Sequence, residues 1–258
     1  MVENACGIIC RNDRVGPGLF IMTIEIPSIA SQVLPGQFVH LKIPGFDSHI
    51  LRRPFSVYSI DNATGTMDIL YQVVGSGSEF MTTLLPGVSV DLIGPLGRGW
   101  QVPEGTQKAL LVGGGVGAAP LFMLAQSLQQ QGVSVKAVLG AQSKDTLVCE
   151  DRYTELLSSS VCYSTDDGSF GHDGFCTPLV EQALAEETFD YLACCGPEPL
   201  MKIVVNLVRD TGVCAEISLE RRMACGIGAC LSCVVETTVG MKRACIDGPV
   251  FEASKVVF

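Results

Sequence analysis

Residues 109–120, with the sequence ALLVGGGVGAAP, decide how the middle of this 258-residue chain folds. The four apolar residues 109–112 are typical of a strand that is buried on both faces, and a helical pattern follows the glycines. Glycines at such a turn let the backbone approach a pyrophosphate, whose charge the helix N-terminus favours. A tight turn without any ligand fits the same residues, so the motif alone leaves both interpretations open. The candidate phosphate-binding residues are Gly113, Gly114, Gly115 and Gly117.

Strand and helix patterns alternate from residue 101 to residue 212, on both sides of this turn. The alternation predicts a parallel, doubly wound sheet, and hence an α/β domain over residues 101–212. The predicted strands cover 109–112, 133–139, 161–165 and 191–195, and the predicted helices cover 121–131, 151–157, 178–185 and 200–209.

Two further motifs end strands of this segment, where open sheets bind their ligands. Cys195, Gly196 and Pro197 follow the last strand, and Cys195 is a candidate to face a nicotinamide ring, although an ordinary strand end has the same pattern. Asp166 follows the third strand, where a carboxylate accepts hydrogen bonds from a ribose 2′-hydroxyl and repels a 2′-phosphate. Residues 165–169 contain no arginine. The segment therefore favours NAD over NADP, with a solvated acidic loop as the alternative.

Residues 1–100 show many short strands separated by turn residues, which predicts a small antiparallel barrel. Arg53, in the sequence RRPFS at 52–56, is predicted to lie between barrel strands, where an arginine can bind a cofactor pyrophosphate. Glycines and serines at 75–78 precede the predicted helix and offer amides to the same phosphates. An exposed charge and a hairpin turn are the alternatives. The predicted strands cover 19–26, 36–43, 66–74 and 88–93, and the predicted helix covers 79–85.

The last segment, residues 213–258, carries four cysteines in an uneven spacing. Cys225, Cys230 and Cys233 follow the pattern C-x4-C-x2-C, and Cys245 comes later in the chain. This spacing is typical of thiolates that hold a [2Fe–2S] cluster. A structural zinc site also uses four cysteines, but usually in two short pairs, and it is the weaker alternative.

Composition narrows the functional classes. The formal net charge is −10, which argues against nucleic acid as a partner. The sequence contains no stretch of eighteen apolar residues, so it predicts no transmembrane helix. The N-terminus lacks the basic region of a signal peptide. We therefore expect a cytoplasmic location, with the 12 cysteines as thiols or metal ligands. Charged residues make up only 17% of the chain, which either a large core or a surface buried against a partner explains.

The order of these motifs resembles the ferredoxin–NADP reductase superfamily, with a flavin barrel before a nucleotide domain. With the sequence RMACGIGAC at 222–230 and CIDGPVF at 245–251, the whole chain resembles the electron-transfer subunits of NAD-dependent bacterial dihydroorotate dehydrogenase. The resemblance implies FAD and one [2Fe–2S] cluster in a multi-domain α+β chain. It implies FAD contacts from Arg53, Pro54, Phe55, Ser56, Leu70, Tyr71, Gln72, Gly77 and Ser78, where family members often carry threonine in place of Ser78.

The resemblance also implies a partner, a catalytic subunit that holds FMN, with two copies of each subunit in the complex. Electrons would pass from that FMN through the cluster to FAD and then to NAD+, in pyrimidine biosynthesis. Two alternatives stay open: the small flavin and iron–sulfur subunit of a ferredoxin-dependent NADPH or sulfide oxidoreductase, and a zinc-binding adaptor.

Overall fold

A computed structural model describes residues 2–46 and 50–258 of the chain. In this described part, the N-terminal strands form a seven-stranded antiparallel sheet in the order β4-β3-β7-β1-β2-β6-β5. None of the helices described is long and apolar enough to cross a membrane. The strands are β1 (Glu3–Gly16), β2 (Leu19–Glu25), β3 (Phe38–Lys42), β4 (Arg53–Ser56), β5 (Ser59–Asp61), β6 (Thr66–Gln72) and β7 (Ser89–Leu96), with helices α1 (Pro27–Ala30) and α2 (Ser76–Met81).

The strands predicted at 19–26, 36–43, 66–74 and 88–93 are confirmed as β2, β3, β6 and β7. The prediction for residues 53–56 is wrong, because these residues do not lie between strands but form the edge strand β4, in which Pro54 pairs with His40 of β3. Proline lacks an amide donor and is tolerated at a sheet edge. The longest strand, β1, has no predicted counterpart. The helix predicted at 79–85 begins three residues earlier and ends four residues earlier, as α2.

The second sheet is parallel over six strands, as the alternating pattern predicts. Alternate residues of its strands enter two separate cores: Leu110 and Val112 pack with helices on one face, and Ala109 and Leu111 pack on the other. Helices therefore cover both faces. The elements are β8 (Lys108–Gly114), α3 (Ala119–Gln130), β9 (Ser134–Ala141), α4 (Glu150–Leu157), β10 (Val161–Thr165), β11 (His172–Asp173), α5 (Thr177–Glu186), β12 (Tyr191–Cys195), α6 (Glu198–Val208) and β13 (Cys214–Ser218).

The C-terminal residues return to the edge of the second sheet. The hairpin of β14 (Val234–Thr237) and β15 (Gly240–Arg243) follows the cysteine-rich loop, and β16 (Val250–Glu252) then pairs antiparallel with β13. Strands β13 and β16, from the segment predicted to hold the cluster, thus belong to the second sheet by hydrogen bonding. Short 3-10 turns cover Gly115–Ala118, Lys144–Thr146, Ser158–Ser160 and Ala253–Lys255.

A carboxylate joins the amino-terminal ends of two neighbouring strands of the second sheet. Glu187, just after α5, forms ion pairs with Lys108 of β8 and Lys136 of β9, the second at 2.8 Å. The two ammonium groups lower the pKa of Glu187 to about 2, from an ordinary value of 4.5. The carboxylate therefore favours the folded state whenever it is ionised.

We expect Glu187→Gln to lower the free energy of unfolding at pH 7. Because the pKa of Glu187 is depressed on folding, its stabilisation is complete above pH 4.5 and is lost as the pH falls towards 2. Urea midpoints of the variant and the wild type should differ at pH 7 and converge below about pH 4. Glu181→Gln, at an exposed position of α5, is the matched control. A difference that stays constant down to pH 3 would contradict this explanation.

Candidate functional site

A cavity of about 460 Å³ lies between the two large sheets. One wall comes from β4 and β6 of the first sheet, and the other comes from the turn after β8 and from the carboxyl ends of β12 and β13. Its volume is in the range of small-molecule and cofactor sites. Eight residues expected to bind cofactors line it: Pro54, Phe55, Ser56, Leu70, Tyr71, Gln72, Gly117 and Cys195.

Tyr71 is held rigidly at the cavity. Its hydroxyl donates a hydrogen bond to the Asn12 side-chain oxygen at 3.0 Å, and its ring stacks on Phe20 with the centroids 5.5 Å apart. Phe55 meets the same ring edge-on, with the centroids 6.0 Å apart. Burial raises the pKa of Tyr71 to about 12, so the phenol stays neutral. Tyr71 and Phe55 together form a fixed aromatic surface on which a flat ring system can stack.

Arg53, Gly77 and Ser78 lie beside the cavity and do not line it. A side-chain carbon at Gly77 would lie 3.3 Å from the Arg53 Nε atom, so the glycine leaves room for the guanidinium. The Ser78 hydroxyl accepts hydrogen bonds from the amides of Val74 and Gly75, at 2.9 and 3.2 Å. Val74 lines the cavity. The Arg53 guanidinium and the turn at Gly77 and Ser78 therefore lie where an anionic group of a ligand in the cavity could reach them.

The glycine turn and the Cys195 motif contact each other directly. A Cβ atom at Gly117 would lie 2.4 Å from the carbonyl oxygen of Cys195, and one at Gly114 would lie 2.9 Å from the Pro197 ring. Of the four candidate glycines, Gly117 lines the cavity, whereas Gly113, Gly114 and Gly115 support the turn behind it. Glycine is thus required at Gly117 for close backbone approach.

The two neighbouring cysteines of β12 face opposite sides of the sheet, as the strand pattern predicts. Cys194 packs in the core on one face, whereas Cys195 belongs to the other face and reaches the cavity. Burial raises the pKa of Cys195 to about 12, so its thiol is neutral at ordinary pH. Cys195 is therefore a packing and contact group rather than a reactive thiolate.

Asp166 lies at the same carboxyl edge of the sheet but outside the cavity. Its amide donates to the Ala141 carbonyl at 3.0 Å, and the residue is exposed directly after β10. The neighbouring Asp167 carboxylate accepts hydrogen bonds from the Ser169 hydroxyl and amide, which lower the pKa of Asp167. Asp167 is thus engaged within its own loop, whereas Asp166 is the carboxylate open to a ligand.

The four predicted cysteine ligands form two pairs. The Cys230 amide points at the Cys225 sulfur at 3.4 Å, and the sulfurs of Cys233 and Cys245 are 3.2 Å apart. Among the residues described, no three ligand-type side chains converge as one metal ion would require. A two-iron cluster takes two thiolates on each iron, whereas zinc needs four donors at one point. The two pairs match the ligand division of a binuclear cluster.

The loop that carries these cysteines follows an unusual backbone path. Gly226, Gly228 and Leu231 have positive φ angles of 71°, 81° and 60°. A hydrogen bond with the Ser232 hydroxyl lowers the pKa of the Cys230 thiol to about 6. Left-handed residues interspersed with other conformations can turn backbone amides towards one side, which suits a negatively charged sulfur cluster.

The segment between β13 and the first cysteine is a part of the site that sequence reasoning missed. Residues 218–223 line the cavity and lead directly to Cys225. Arg221 and Arg222 bring positive charge to the wall, and desolvation raises the pKa of Glu220. The sequence did contain one signal for these residues: they lie between the carboxyl end of a strand and the first predicted cluster ligand. The cavity and the cysteine loop thus share one continuous segment.

Two family models match the chain. Residues 9–100 match the oxidoreductase FAD-binding domain, and residues 220–257 match the iron–sulfur cluster binding domain of dihydroorotate dehydrogenase B. The chain is 43% identical to the electron transfer subunit of dihydroorotate dehydrogenase B (NAD(+)) from Fusobacterium nucleatum, over 95% of each chain. The corresponding subunit from Desulforamulus reducens is 37% identical, over 95% of this chain and 94% of the relative.

Solved structures show the same architecture. A structure of NADH-dependent reduced ferredoxin-NADP oxidoreductase superposes with a TM-score of 0.88 and 32% identity, covering 98% of this chain and 90% of that chain. A ferredoxin NADP+ reductase from Neisseria gonorrhoeae, with bound FAD and NADP, shares the fold at a TM-score of 0.68 and 20% identity, covering 81% and 92%.

We expect Gly117→Ala to displace the glycine turn from the end of β12. Because the new methyl group would lie 2.4 Å from the Cys195 carbonyl oxygen, one of the two segments must move, at a cost of about 1–3 kcal/mol. The buried Cys195 should then become reactive towards iodoacetamide, as measured by peptide mapping of the alkylated protein.

Gly115→Ala is the control, because a Cβ atom there meets nothing within 4 Å. Its φ of 56° still costs an alanine about 1–2 kcal/mol, so both variants lose stability. Equal alkylation of Cys195 in the two variants would show that close approach at Gly117 does not shield it.

Proposed function

The chain belongs to the electron transfer subunits of dihydroorotate dehydrogenase B (NAD(+)), and we propose that it passes electrons from a catalytic subunit to NAD+ through a [2Fe–2S] cluster and FAD. One observation carries the proposal. The segment from Ser218 to Met223 forms the wall of the flavin-sized cavity and then continues to Cys225. Cys225 follows Arg222 by three positions, so the cavity wall and the first proposed cluster ligand are at most about 11 Å apart along the chain.

The two cofactors supply the redox chemistry, since a cluster takes single electrons and a flavin combines two of them into a hydride for nicotinamide. In this proposal, Tyr71 and Phe55 provide the stacking surface, and Ser56 presents its hydroxyl to the edge of the ring. Leu70 and Gln72 complete this side of the cavity. Arg53 neutralises the pyrophosphate of FAD beside the turn that Gly77 and Ser78 build, and Pro54 fixes the edge strand between them.

NAD+ is proposed to bind at the carboxyl edge of the second sheet. Gly117 lets the dinucleotide approach the backbone, and Gly113, Gly114 and Gly115 hold the turn in place. Cys195, with Gly196 and Pro197 behind it, borders the cavity where the nicotinamide would meet the flavin. Asp166 accepts hydrogen bonds from the adenosine ribose.

The cluster is proposed to rest on two pairs of thiolates, Cys225 with Cys230 and Cys233 with Cys245. Next to them, Ile227 and Leu231 are 51% and 61% exposed. Exposed apolar side chains beside a redox centre favour contact with another protein surface. We therefore place the FMN-containing catalytic subunit against this loop, in a complex with two copies of each subunit.

We further propose three functional units: a flavin barrel at 1–100, an NAD-binding unit at 101–212 and a cluster unit at 213–258. In the part of the chain described, all 12 cysteines are free thiols or candidate ligands, which supports a reducing cytoplasm as the location.

A second candidate is the flavin and iron–sulfur subunit of a ferredoxin-NADP oxidoreductase. The structural superposition at 32% identity favours it, but the relatives at 36–43% identity favour the first candidate. Dihydroorotate-dependent reduction of NAD+ by the purified complex would support the first, and ferredoxin-dependent oxidation of NADPH would support the second.

We expect Cys230→Ser to lose its iron and to lower dihydroorotate-dependent NAD+ reduction at least about 100-fold, because one thiolate pair is broken. Reduction of a dye by NADH uses only FAD and should stay within about threefold of the wild type. Cys6→Ser is the control, since Cys6 is exposed on β1. Unchanged dihydroorotate-linked activity in the Cys230 variant would refute the relay.

We expect Asp166→Ala to raise kcat/KM for NADPH relative to NADH about tenfold, because removal of like-charge repulsion worth about 1.4 kcal/mol has that effect. The measurement is NADPH- and NADH-dependent dye reduction. Asp167→Ala is the matched control, because the Asp167 carboxylate is already bound to Ser169. An equal change of the kcat/KM ratio in both variants would mean that Asp166 does not bind the ribose.

A further inference from the structure

His40 is a buried histidine with no partner for its ring. Its side chain is 0% exposed, and neither ring nitrogen has a hydrogen-bond partner within the described part of the chain. Main-chain groups of Cys225 and Arg52 lie beside the ring without a hydrogen bond of normal geometry. An unpaired polar group in a protein interior is costly, so a ring N–H kept in this position calls for an acceptor.

The register of β3 determines where the ring points. Val39 and Leu41 pack in the core of the first sheet. Side chains alternate along a strand, so Phe38 and His40 face the other side. Phe38 lines the cavity, and His40 lies against the cysteine loop. One face of β3 therefore touches both the proposed flavin site and the proposed cluster site.

The contact with the loop is close. A Cβ atom at Gly226 would lie 2.5 Å from the His40 Nδ1 atom and 3.1 Å from its Cγ atom. Only a glycine therefore fits between the ring and the loop, and it lies next to the ligand Cys225. On its other side, the main chain of His40 pairs with Pro54 of β4. His40 thus connects the cysteine loop to the strand that carries Phe55 and Ser56.

We propose that His40 is a positioning residue that donates a ring N–H hydrogen bond to a sulfur of the cluster at its Cys225 end. The inference rests on the proposed function, because the acceptor is the cluster held by the four cysteines. Hydrogen bonds to cluster sulfurs stabilise the reduced, more negative state and so raise the reduction potential. His40 would then favour electron entry into the cluster while it fixes the loop against the flavin strand.

The test is a redox titration of the anaerobic holo-complex, followed by electron paramagnetic resonance of the reduced cluster. His40→Leu removes the donor, and His40→Gln keeps an N–H donor. At the potential where the wild-type cluster is half reduced, the oxidised-to-reduced ratio should rise about tenfold in His40→Leu, a shift of about 59 mV for a one-electron couple. His40→Gln should stay within about threefold of the wild type. His172→Leu, at an exposed position of β11, should not change the ratio.

Equal potentials in the wild type and His40→Leu would overturn the proposal, and so would equal shifts in the leucine and glutamine variants. If His40→Leu does not retain iron, the result for His40→Gln decides. Retained iron with a reduction potential near that of the wild type supports His40 as a hydrogen-bond donor. Lost iron, or a change of about tenfold in the oxidised-to-reduced ratio, overturns the proposal. Iron and acid-labile sulfide content of the wild type tests the cluster itself. A wild type that holds its iron while the His40 variants show no shift would leave the proposed function intact and remove only this inference.

Discussion

The antiparallel pairing of β13 with β16 is the constraint on which the site depends. Ile217 pairs with Phe251, and the Leu219 amide donates to the Pro249 carbonyl at 2.9 Å. The intervening loop therefore leaves and re-enters the second sheet at one place. The Arg98 amide also donates to the Gly248 carbonyl at 2.5 Å, which ties the returning chain to the end of the first sheet. Both ends of the cysteine loop are fixed, so the loop must lie where the two sheets meet.

The elements that sequence reasoning predicted are those whose signal is local. An apolar run followed by glycines specifies β8 and its turn, because the pattern needs no distant partner. Strand β1 lacks such a run: only Gly7 and Ile9 of its 14 residues are buried. Strand β16 spans three residues and exists only because β13 lies beside it. In β1 an exposed Ile8 stands beside the buried Ile9, so apolar residues do not alternate with polar ones, and β16 is too short to show a period. Neither strand could therefore be predicted from its own residues.

The same distinction applies to the site. Residues that a motif or the family resemblance indicated, such as Cys195, Ser56 and Tyr71, line the cavity. Arg221 and Arg222 line it as well, but only the return of β16 brings their segment to the wall. In the glycine turn, the motif predicted all four glycines alike, whereas the structure separates Gly117, which approaches Cys195, from Gly115, which has open space. Sequence gives the type of residue that a turn needs, and packing decides which one lies at the cavity.

Charge explains why the cysteine loop needs so much left-handed backbone. The chain carries a formal net charge of −10, and the proposed cluster, as a whole, would add further negative charge when its four thiolates are bound. Near them, Arg243 is partly engaged, since it donates to the Gly228 carbonyl at 3.3 Å and pairs with Asp247. Main-chain amides can add to the stabilisation of such a cluster, as the Cys230 amide does by pointing at the Cys225 sulfur. A loop with positive φ at Gly226, Gly228 and Leu231 can turn several amides towards one point, which a regular helix or strand cannot do.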